Sequence, residues 1–473
     1  MRSHKFQIIL TLTVLILSTS PVHAMSNNQV EGPVYIVSPG DSLLEIAARF
    51  NVSLQDLMDT NNISDPNQLF PGDELVIPGL EGITGTLVSK IVPFGESQTS
   101  ISRQYRISNE QLRKLNHLIS PTEFYAGANL IIPDDAERQT WTSRTHLEHG
   151  ISLLELSIQQ GTDPWTLSAI NNISKSWSAI PGDILFLPRI DNESTQTGLP
   201  FIFINSKVDP LPLVQGNTVQ LNIQTIPGVT LSGQLIDHPL NFHPITTDQY
   251  IALQGIHALL EPGLYPLRLD GTLTTGERYS FEQMILVESG FYPSEVIKVD
   301  PQSIDPIITK PEEDFINSMT SNSTPERYWN GGFISPAIEY EATSYLTSKY
   351  GTRRMYIGIG TDLEIEGFHS GLDFGGGTGL PITAPARGKV VFAGLLEIRG
   401  NATIIDHGWG VYSGFWHQSE ISVKEGEMVE PGQIIGLVGG TGRATGPHLH
   451  WEVWVNGVQV DPLEWLEKVY PTQ

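Results

Sequence analysis

The sequence predicts a multidomain protein with three small β-α-α-β modules, an antiparallel β-sandwich and a strand-rich C-terminal domain. At 473 residues, the chain is several times longer than a usual domain of about 100 to 200 residues. A repeat of fixed period runs through residues 33–189, and alternating strand-like runs follow in residues 198–297. The C-terminal part combines further strand-like runs with closely spaced histidines.

The N-terminus is expected to be a secretory signal peptide, residues 1–24. Arg2 and Lys5 form a basic start, an apolar run follows, and Val22-His23-Ala24 has the small-x-small pattern of a cleavage site. We therefore predict a mature chain that begins at Met25. An uncleaved anchor is the alternative, but the apolar run is shorter than the roughly 20 residues needed to span a bilayer. No later segment is long and apolar enough to cross a membrane, so the mature chain is expected to have no transmembrane segment.

Composition narrows the classes of partner and of metal site. With 27 basic and 52 acidic residues, the net charge is −25, which argues against binding to nucleic acid. The chain has no cysteine, so an exported protein of this sequence must rely on its hydrophobic cores rather than on disulfides. Any metal site must therefore use His, Asp or Glu side chains.

An internal repeat with a step of 55 residues defines the three modules, predicted at residues 33–79, 86–134 and 141–189. In the first copy, a short strand YIV is followed by two segments with helical apolar spacing and by a second strand, LVIP. Ser53, Ser108 and Asp163 stand where the second helix should begin, and all three are good N-caps. The step links Gly40, Gly95 and Gly150, then Asn61, Asn116 and Asn171, then Gly72, Gly127 and Gly182, then Pro78, Pro133 and Pro188.

The first copy, with PGDSL near its start and LFPGDELVIP at its end, resembles the LysM module. This resemblance implies binding of glycans that contain N-acetylglucosamine, such as peptidoglycan or chitin, between two loops. Here those loops hold the candidate glycan-binding residues Gly40, Asp41, Ser42, Asn62 and Ile63. The match is looser in the later copies, where Asp41 is replaced by Glu96 and then by Ile151. Modules that keep the fold without the site, and act as spacers, are the alternative.

Residues 198–297 carry alternating strand-like runs broken by Gly, Pro and Asn turns, which predicts an Ig-like antiparallel β-sandwich. Nothing in this segment suggests chemistry. Its histidines, His238, His243 and His257, are expected to be surface residues or to have their hydrogen bonds satisfied. Residues 298–334, rich in Pro, Ser, Asn and acidic residues, are expected to form a linker with one short helix.

The most informative stretch is TGPHLHWEVW, residues 445–454. Successive side chains of a strand point to opposite faces, so His448, His450 and Glu452 share one face. An edge strand with two exposed histidines would also fit this pattern. Upstream, GFHSGLDFGGG holds a second ligand-like pair, His369 and Asp373, and GVYSGFWHQS places His417 in a strand-like run. A catalytic zinc needs three such donors and an open fourth position.

The glycine-rich segment GLVGGTGRATGPH, residues 436–448, could be read as a phosphate-binding loop. It lacks a GK[ST] ending and leads into a strand rather than into a helix N-terminus. We interpret it as a wall of a cleft. The acidic segment GIGTDLEIEG, residues 358–367, is expected to shape or cover the same groove, and His407 is expected to have a structural role.

Taken in this order, H-x-x-x-D, a solitary histidine in an aromatic strand and TG-x-x-TGPHLH-x-E-V closely resemble the lysostaphin-type (LytM-like) zinc metallopeptidase family over residues 335–468. The resemblance implies a compact, mainly antiparallel β domain with one Zn²⁺ ion held by His369, Asp373 and His450. It also implies that His448 and His417 are catalytic histidines that do not bind the metal. Two positions depart from the family pattern: Gln418 replaces the usual leucine, and Trp416 is the aromatic residue before the solitary histidine.

The resemblances together imply a secreted zinc-dependent endopeptidase that cleaves peptide cross-links or stem peptides of bacterial peptidoglycan. LysM modules would target it to the wall, so it would be extracellular, cell-wall associated or periplasmic. One of His448 and His417 would act as the base and the other would stabilise the transition state. The alternatives are a non-catalytic regulator or activator of another cell-wall hydrolase, and a glycan adhesin whose C-terminal domain is a spacer.

Overall fold

The computed structural model describes residues 32–80, 83–134, 143–175, 178–188, 198–337 and 346–472. The predicted signal peptide lies outside these ranges, and its cleavage stays a prediction. The chain divides into two compact units, one ending at Thr84 and the other beginning at Gly85. Among the helices of the described ranges, none is long and apolar enough to cross a membrane.

The first unit contains one β-α-α-β repeat, with β1 and β2 paired antiparallel. Ser42 caps the first helix in a reciprocal capping box with Glu45, and Ser53 accepts from Asp56 N at the start of the second. The core is formed by apolar side chains of the four elements, including Tyr35, which is fully buried. The elements are β1 (Val34–Ile36), α1 (Leu43–Arg49), α2 (Leu54–Asn61) and β2 (Glu74–Val76).

The second unit begins with two further copies of this element order. The second copy consists of β3 (Thr86–Ile91), α3 (Gln98–Gln104), α4 (Asn109–Asn116), a 3-10 turn (Pro121–Glu123) and β4 (Asn129–Asp134). The third copy consists of β5 (Arg144–His146), α5 (Leu153–Gln159), α6 (Pro164–Ile170) and β6 (Ile184–Phe186). The N-caps predicted from the repeat, Ser108 and Asp163, accept hydrogen bonds from the first turns of α4 and α6.

The repeated asparagine has the same structural role in each copy. In the first, Asn61 Nδ2 donates to the carbonyl oxygens of Leu57 and Val76, while its Oδ1 accepts from Val76 N at 2.7 Å. Asn116 and Asn171 make the equivalent three bonds in their copies. The side chain therefore joins the end of the second helix to the last strand, which explains why the repeat keeps Asn there.

Two sheets lie between residues 203 and 288. One has the order β11-β10-β14-β15-β8 and the other β12-β13-β9-β7, and their facing side chains form one hydrophobic cluster. Phe94 and Ala126 of the second repeat belong to the same cluster, so that repeat packs against these sheets. The strands are β7 (Phe203–Asp209), β8 (Leu213–Val214), β9 (Thr218–Thr225), β10 (Thr230–Leu235), β11 (His238–Pro239), β12 (His243–Pro244), β13 (Gln249–Gly255), β14 (Gly263–Thr272) and β15 (Arg278–Glu288).

Residues 298–334, expected to form a linker with one short helix, instead pack against the C-terminal domain. Strand β16 (Ser294–Val299) pairs in parallel with β18 (Arg353–Gly358), and after a 3-10 turn (Pro301–Ser303) comes the 15-residue helix α7 (Pro306–Thr320). Glu312 of α7 is buried and accepts from the backbone N–H groups of Ile398 and Arg399. The composition of this segment is that of a linker, but its buried acid and apolar residues attach it to the next domain.

The C-terminal domain is mainly antiparallel β, which confirms the prediction. Its main sheet has the order β17-β20-β28-β24-β23-β22-β26, with β29 paired to β28, and a small sheet has the order β21-β27-β25. The elements are β17 (Leu346–Ser348), β18, β19 (Glu364–Phe368), β20 (Leu372–Gly375), β21 (Pro381–Thr383), β22 (Gly388–Leu396), β23 (Gly400–Gly408), β24 (Val411–Gln418), β25 (Glu420–Ile421), β26 (Met428–Val429), β27 (Ile434–Leu437), β28 (His448–Val455), β29 (Val458–Val460) and α8 (Pro462–Glu467).

The C-terminal helix α8 joins this domain to the preceding sheets. Glu464 accepts from Thr218 N at 2.7 Å, and Trp465 Nε1 donates to Thr218 Oγ1 at 3.0 Å. Leu253 and Ala258 of the preceding segment lie in the same hydrophobic cluster as the core of the C-terminal domain. The sheets of residues 203–288 and the C-terminal domain are therefore joined by a shared hydrophobic core as well as by the connecting chain.

Candidate metal centre

Three side chains that were predicted to bind a metal converge in the C-terminal domain. His369 Nε2 lies 3.2 Å from His450 Nδ1 and 3.1 Å from Asp373 Oδ1, and the last two atoms are 2.7 Å apart. Donors about 2.0 to 2.1 Å from a tetrahedral zinc are separated from one another by roughly 3.3 Å. The three atoms therefore have nearly the spacing of ligands around one small cation.

Strand pairing explains how residues far apart in sequence meet here. In the antiparallel pair β20–β28, Asp373 stands directly opposite His450, and β24 places Trp416 opposite His450 on the other side. The chain between His369 and Asp373 passes close to β28, where a Cβ on Gly371 would lie 2.3 Å from Trp451 O. The glycine in this position is thus required by the close approach of the two backbones.

Hydrogen bonds at the far side of each ring leave the metal-facing nitrogens available. His369 Nδ1 lies 2.9 Å from Lys349 O, so a proton on Nδ1 is held there and Nε2 keeps its lone pair. His450 is turned the other way: its Nε2 lies 3.0 Å from Glu452 Oε1, which leaves Nδ1 as the donor atom. Both arrangements are typical of histidines that bind metals.

Glu452 lies on the same strand face as His450, as the alternation of side chains predicts, and the structure gives it a contact that the sequence did not suggest. Its carboxylate is 2% exposed and accepts from Trp416 Nε1, Ser370 Oγ and Gln459 Nε2 in addition to facing His450. Trp416, noted as a departure from the family pattern, thereby helps to hold this carboxylate. The signal in the sequence was the i, i+2 spacing from His450 on the same strand face.

His448 and His417 lie beside the three donors. His448 Nε2 is 3.7 Å from Asp373 Oδ1, and the rings of His417 and His448 have centroids 5.0 Å apart. Each ring has its Nδ1 near a backbone carbonyl. His448 Nδ1 lies 2.9 Å from Gly446 O, and His417 Nδ1 lies 2.8 Å from Thr441 O. With Nδ1 occupied in this way, Nε2 is the ring nitrogen of each histidine that can take part in proton transfer.

His417 has a strained backbone, with φ of +61°. This left-handed conformation costs a residue other than glycine about 1 to 2 kcal/mol. Such strain is found preferentially at functional sites, where surrounding contacts hold it. Here the hydrogen bonds from His417 N to Arg399 O and from Thr441 N to His417 O hold it in place.

Burial and close charges shift the pKa values of the cluster in opposite directions. Burial lowers the pKa of His417 to about 4, so this ring is neutral near pH 7. Burial also lowers the pKa of His450, but Asp373 and Glu452 outweigh it and raise that pKa to about 9. Burial would raise the pKa of Asp373, but His450 and His369 hold it well below its usual range. Metal binding to His450 Nδ1 must therefore release a proton.

The donors lie in a cavity of about 350 Å³ that the C-terminal domain shares with the segment from β16 to α7. Arg443 and Thr445 of the glycine-rich segment form one wall, as predicted, and Thr309 and Glu313 of α7 form part of another. The acidic segment 358–367 forms the turn and second strand of the β18–β19 hairpin, and Tyr356 of this hairpin also lines the cavity.

Comparisons with known proteins agree with this site. Residues 367–462, which include all five predicted histidine and aspartate positions, match the model of Peptidase family M23. The chain carries an M23 peptidase domain. Residues 35–78 and 91–133 match the model of the LysM domain, so the two predicted resemblances are confirmed for the C-terminal domain and for the first two repeats.

The curated relatives match a limited part of this chain. DD-carboxypeptidase/endopeptidase Mpg of Neisseria meningitidis serogroup B is 38% identical over 133 residues, which cover 28% of this chain and 29% of that protein. Peptidoglycan DD-endopeptidase ShyA of Vibrio cholerae is 42% identical over 96 residues, covering 20% and 22%. The chain thus spans less than a third of the length of the curated relatives it matches.

Among solved structures, a putative peptidase M23 from Pseudomonas aeruginosa is 28% identical, and the match covers 54% of this chain and 94% of that one with a TM-score of 0.38. The catalytic domain of lysostaphin from Staphylococcus simulans is 36% identical, with coverage of 22% and 81% and a TM-score of 0.21.

The candidate glycan-binding residues of the first LysM repeat lie in two loops. Gly40 and Ser42 stand before α1, and Asn62 and Ile63 follow α2. Asp41 is already engaged, because its carboxylate accepts from Tyr35 OH at 2.6 Å and from Arg49 Nη2 at 3.0 Å. Its first role is therefore to brace the loop. Glycan binding by these residues stays a prediction.

The corresponding loop of the second LysM repeat is covered. Gly95 N donates to Gln283 Oε1 at 2.8 Å, and Gln283 Nε2 donates to Glu96 O at 2.9 Å. Glu96 also forms an ion pair of 2.7 Å with Arg144, and both side chains are almost fully buried. In the third repeat the equivalent Gly150 is exposed. The second copy thus uses this loop for packing, whereas the first and third leave it accessible.

The other histidines in the described ranges lie outside the cluster. His407 is fully buried and bonds to Arg387 O and Ser413 Oγ, consistent with a structural role. His243 is buried rather than on the surface, stacked on Trp409. His257 accepts from Leu259 N, and His238 lies 3.3 Å from Asp237.

Proposed function

We propose that this protein is a secreted zinc-dependent endopeptidase that cleaves peptide cross-links or stem peptides of bacterial peptidoglycan. The observation that supports the proposal best is the convergence of His369, Asp373 and His450. Two further histidines line the same cavity, and each has its Nδ1 beside a backbone carbonyl. The names of the relatives, which are a DD-carboxypeptidase/endopeptidase and a peptidoglycan DD-endopeptidase, agree with this substrate.

Zinc is the metal that the donor set favours. Two imidazole nitrogens and one carboxylate oxygen, without a sulfur donor, make the three-ligand set of catalytic zinc sites. A bound Zn²⁺ would act as a Lewis acid towards the scissile carbonyl and the attacking water. Glu452 would hold His450 in the required tautomer from behind.

The remaining chemistry belongs to His417 and His448. A neutral imidazole whose Nδ1–H is held by a carbonyl can accept a proton at Nε2, and both rings have this arrangement. One of them would take a proton from the attacking water. The other, once protonated, would stabilise the negative charge that develops on the carbonyl oxygen. The geometry leaves the assignment between the two open.

The LysM repeats would hold the enzyme on its substrate. We propose that the first repeat binds glycan through Gly40, Ser42, Asn62 and Ile63, and that the third is a LysM-like module with an accessible loop. Residues 198–297 would form an Ig-like sandwich that supports both the second repeat and the peptidase domain, since it shares a core with each. A location in the cell wall or the periplasm follows from this substrate.

Two other functions use the same domains. A regulator or activator of another wall hydrolase would not need an intact donor set, and a glycan adhesin would not need His417 and His448. All five positions are present and brought together here, which favours the enzyme.

Metal content and wall degradation measured together test the proposal. The purified mature protein should contain one zinc ion per chain and should clear a suspension of peptidoglycan, and a chelator should abolish the clearing. Mass spectrometry of the released muropeptides then identifies the cleaved bond. Zinc without any cleavage would favour the regulator, and glycan binding with neither zinc nor cleavage would favour the adhesin.

A further inference from the structure

Three arginines line the cavity beside the metal cluster, in a chain whose net charge is −25. Two of them have an acidic partner. Arg354 Nε lies 2.8 Å from Glu295 Oε1, and Arg399 Nη1 lies 3.0 Å from Glu312 Oε1. These two guanidinium groups are therefore used to join the β16–α7 segment to the peptidase domain.

Arg443 differs from the other two. Its backbone N–H donates to Ile398 O at 2.7 Å, which holds the residue against the neighbouring loop. Its guanidinium, however, forms no hydrogen bond or ion pair with any residue in the described ranges of the chain. It stands five positions before His448 and lines the same cavity as that histidine and Asp373.

The surroundings of Arg443 are polar and of mixed charge. Tyr356 and Glu313 face the same space, and Glu313 is exposed on α7 without lying within ion-pair distance of Arg443. Arg443 is exposed at the wall of the cavity, so its guanidinium is accessible to a ligand that enters there. A planar guanidinium fits a carboxylate with two parallel hydrogen bonds better than it fits other groups.

We propose that Arg443 binds a free carboxylate of the substrate peptide and so makes the enzyme selective for stem peptides with an unmodified carboxylate near the cleaved bond. This specificity role rests on the proposed peptidase function. The ligand supplies the anion that Arg443 lacks among the residues that the structure describes, while Arg354 and Arg399 remain paired with their glutamates.

The test compares two forms of one substrate. A purified cross-linked muropeptide is used as isolated and after chemical conversion of its carboxylates to carboxamides, and kcat/KM is measured for each. A charge-assisted hydrogen bond predicts that the unmodified form is preferred by about 10- to 100-fold. In Arg443→Gln, the ratio between the two forms should fall close to one. Arg443→Lys, which keeps the charge without the paired geometry, should retain an intermediate ratio.

Two matched variants serve as controls. Arg387→Gln removes an exposed arginine that pairs with Glu430 outside the cavity, and the ratio should stay that of the wild type. Glu313→Gln removes a negative charge that faces the cavity, so the preference for the carboxylate form should increase. Melting temperature and zinc content are measured for every variant, so that a folding defect is recognised.

Three results would overturn the proposal. Equal cleavage of both substrate forms by the wild type removes the preference itself. A similar loss on both forms in Arg443→Gln, with Arg443→Lys behaving alike, shows that the residue only holds the loop. Cleavage of neither form by zinc-loaded wild type defeats the proposed peptidase function, and is thereby distinguished from failure of the specificity role alone.

Discussion

Replacement of Glu452 by Gln is expected to weaken metal binding although the residue is not a ligand. Glu452 Oε1 lies 3.0 Å from His450 Nε2 and accepts from Trp416 Nε1 at 2.9 Å and Ser370 Oγ at 2.8 Å, while Oε2 accepts from Gln459 Nε2 at 2.9 Å. An amide has only one oxygen. If it occupies the Oε1 position, the NH₂ group faces the donor on Gln459.

The size of the effect follows from these contacts. One buried donor without an acceptor costs about 1 to 3 kcal/mol, and each of the other bonds loses its charge assistance, worth about 1 kcal/mol apiece. Three other bonds are affected in this way, so we expect the free energy of unfolding to fall by about 4 to 6 kcal/mol. Because His450 is no longer held by a carboxylate, zinc affinity should fall by about 10- to 100-fold.

The assay is a competition titration with a chromophoric zinc chelator, combined with urea unfolding of the metal-free protein. Glu464→Gln is the matched control, because Glu464 of α8 is also buried. It accepts from Thr218 N of strand β9 at 2.7 Å and from Lys468 Nζ at 2.9 Å. It should lose stability and keep the zinc affinity of the wild type. Unchanged zinc affinity in Glu452→Gln, or an equal loss in both variants, would refute the reasoning.

The remaining predictions concern the metal ligands, a buried acid and the repeats. His450→Ala should lose both zinc and activity, whereas His448→Ala should keep zinc while turnover falls by about 10²- to 10⁴-fold. Zinc stoichiometry and initial rates are measured for each variant. Zinc retained in His450→Ala and lost in His448→Ala would reverse the assignment of His450 as the ligand. Burial raises the pKa of Asp461 to about 6, so its charged form costs the folded protein up to about 3 kcal/mol above pH 6 and nothing below about pH 4. Asp461→Asn keeps the helix cap and should therefore raise the free energy of unfolding at pH 8 but not at pH 3.5; an equal gain at both pH values contradicts this. Deletion of residues 25–84 should weaken retention on peptidoglycan and spare cleavage of a soluble peptide. Deletion of residues 25–195 should also lower the melting temperature, because Phe94 is then lost from the hydrophobic cluster between the two sheets. Equal melting temperatures for the two deletions would contradict the packing argument.

Local patterns in the sequence were enough to predict the repeats and to single out candidate metal donors, while the choice of His450 over His448 came from the family resemblance. The step of 55 residues located the three β-α-α-β copies, because each copy needs the same caps, turns and helix-to-strand asparagine. The alternation of a strand placed His448 and His450 on one face, and the short spacing of His369 and Asp373 suggested a second pair of donors. These features depend on neighbours within a few residues, so they can be read without knowing the fold.

Contacts between distant segments were decided only by the tertiary structure. The composition of residues 298–334 is that of a linker, yet Glu312 is buried against the backbone of Ile398 and Arg399. This contact makes the segment a wall of the cavity at the candidate metal centre. The second repeat keeps the LysM pattern, but Gln283 and Arg144 cover its loop. No local rule predicts which of the three arginines in the cavity has no acidic partner among the described residues, because pairing depends on which side chains the fold brings within about 4 Å.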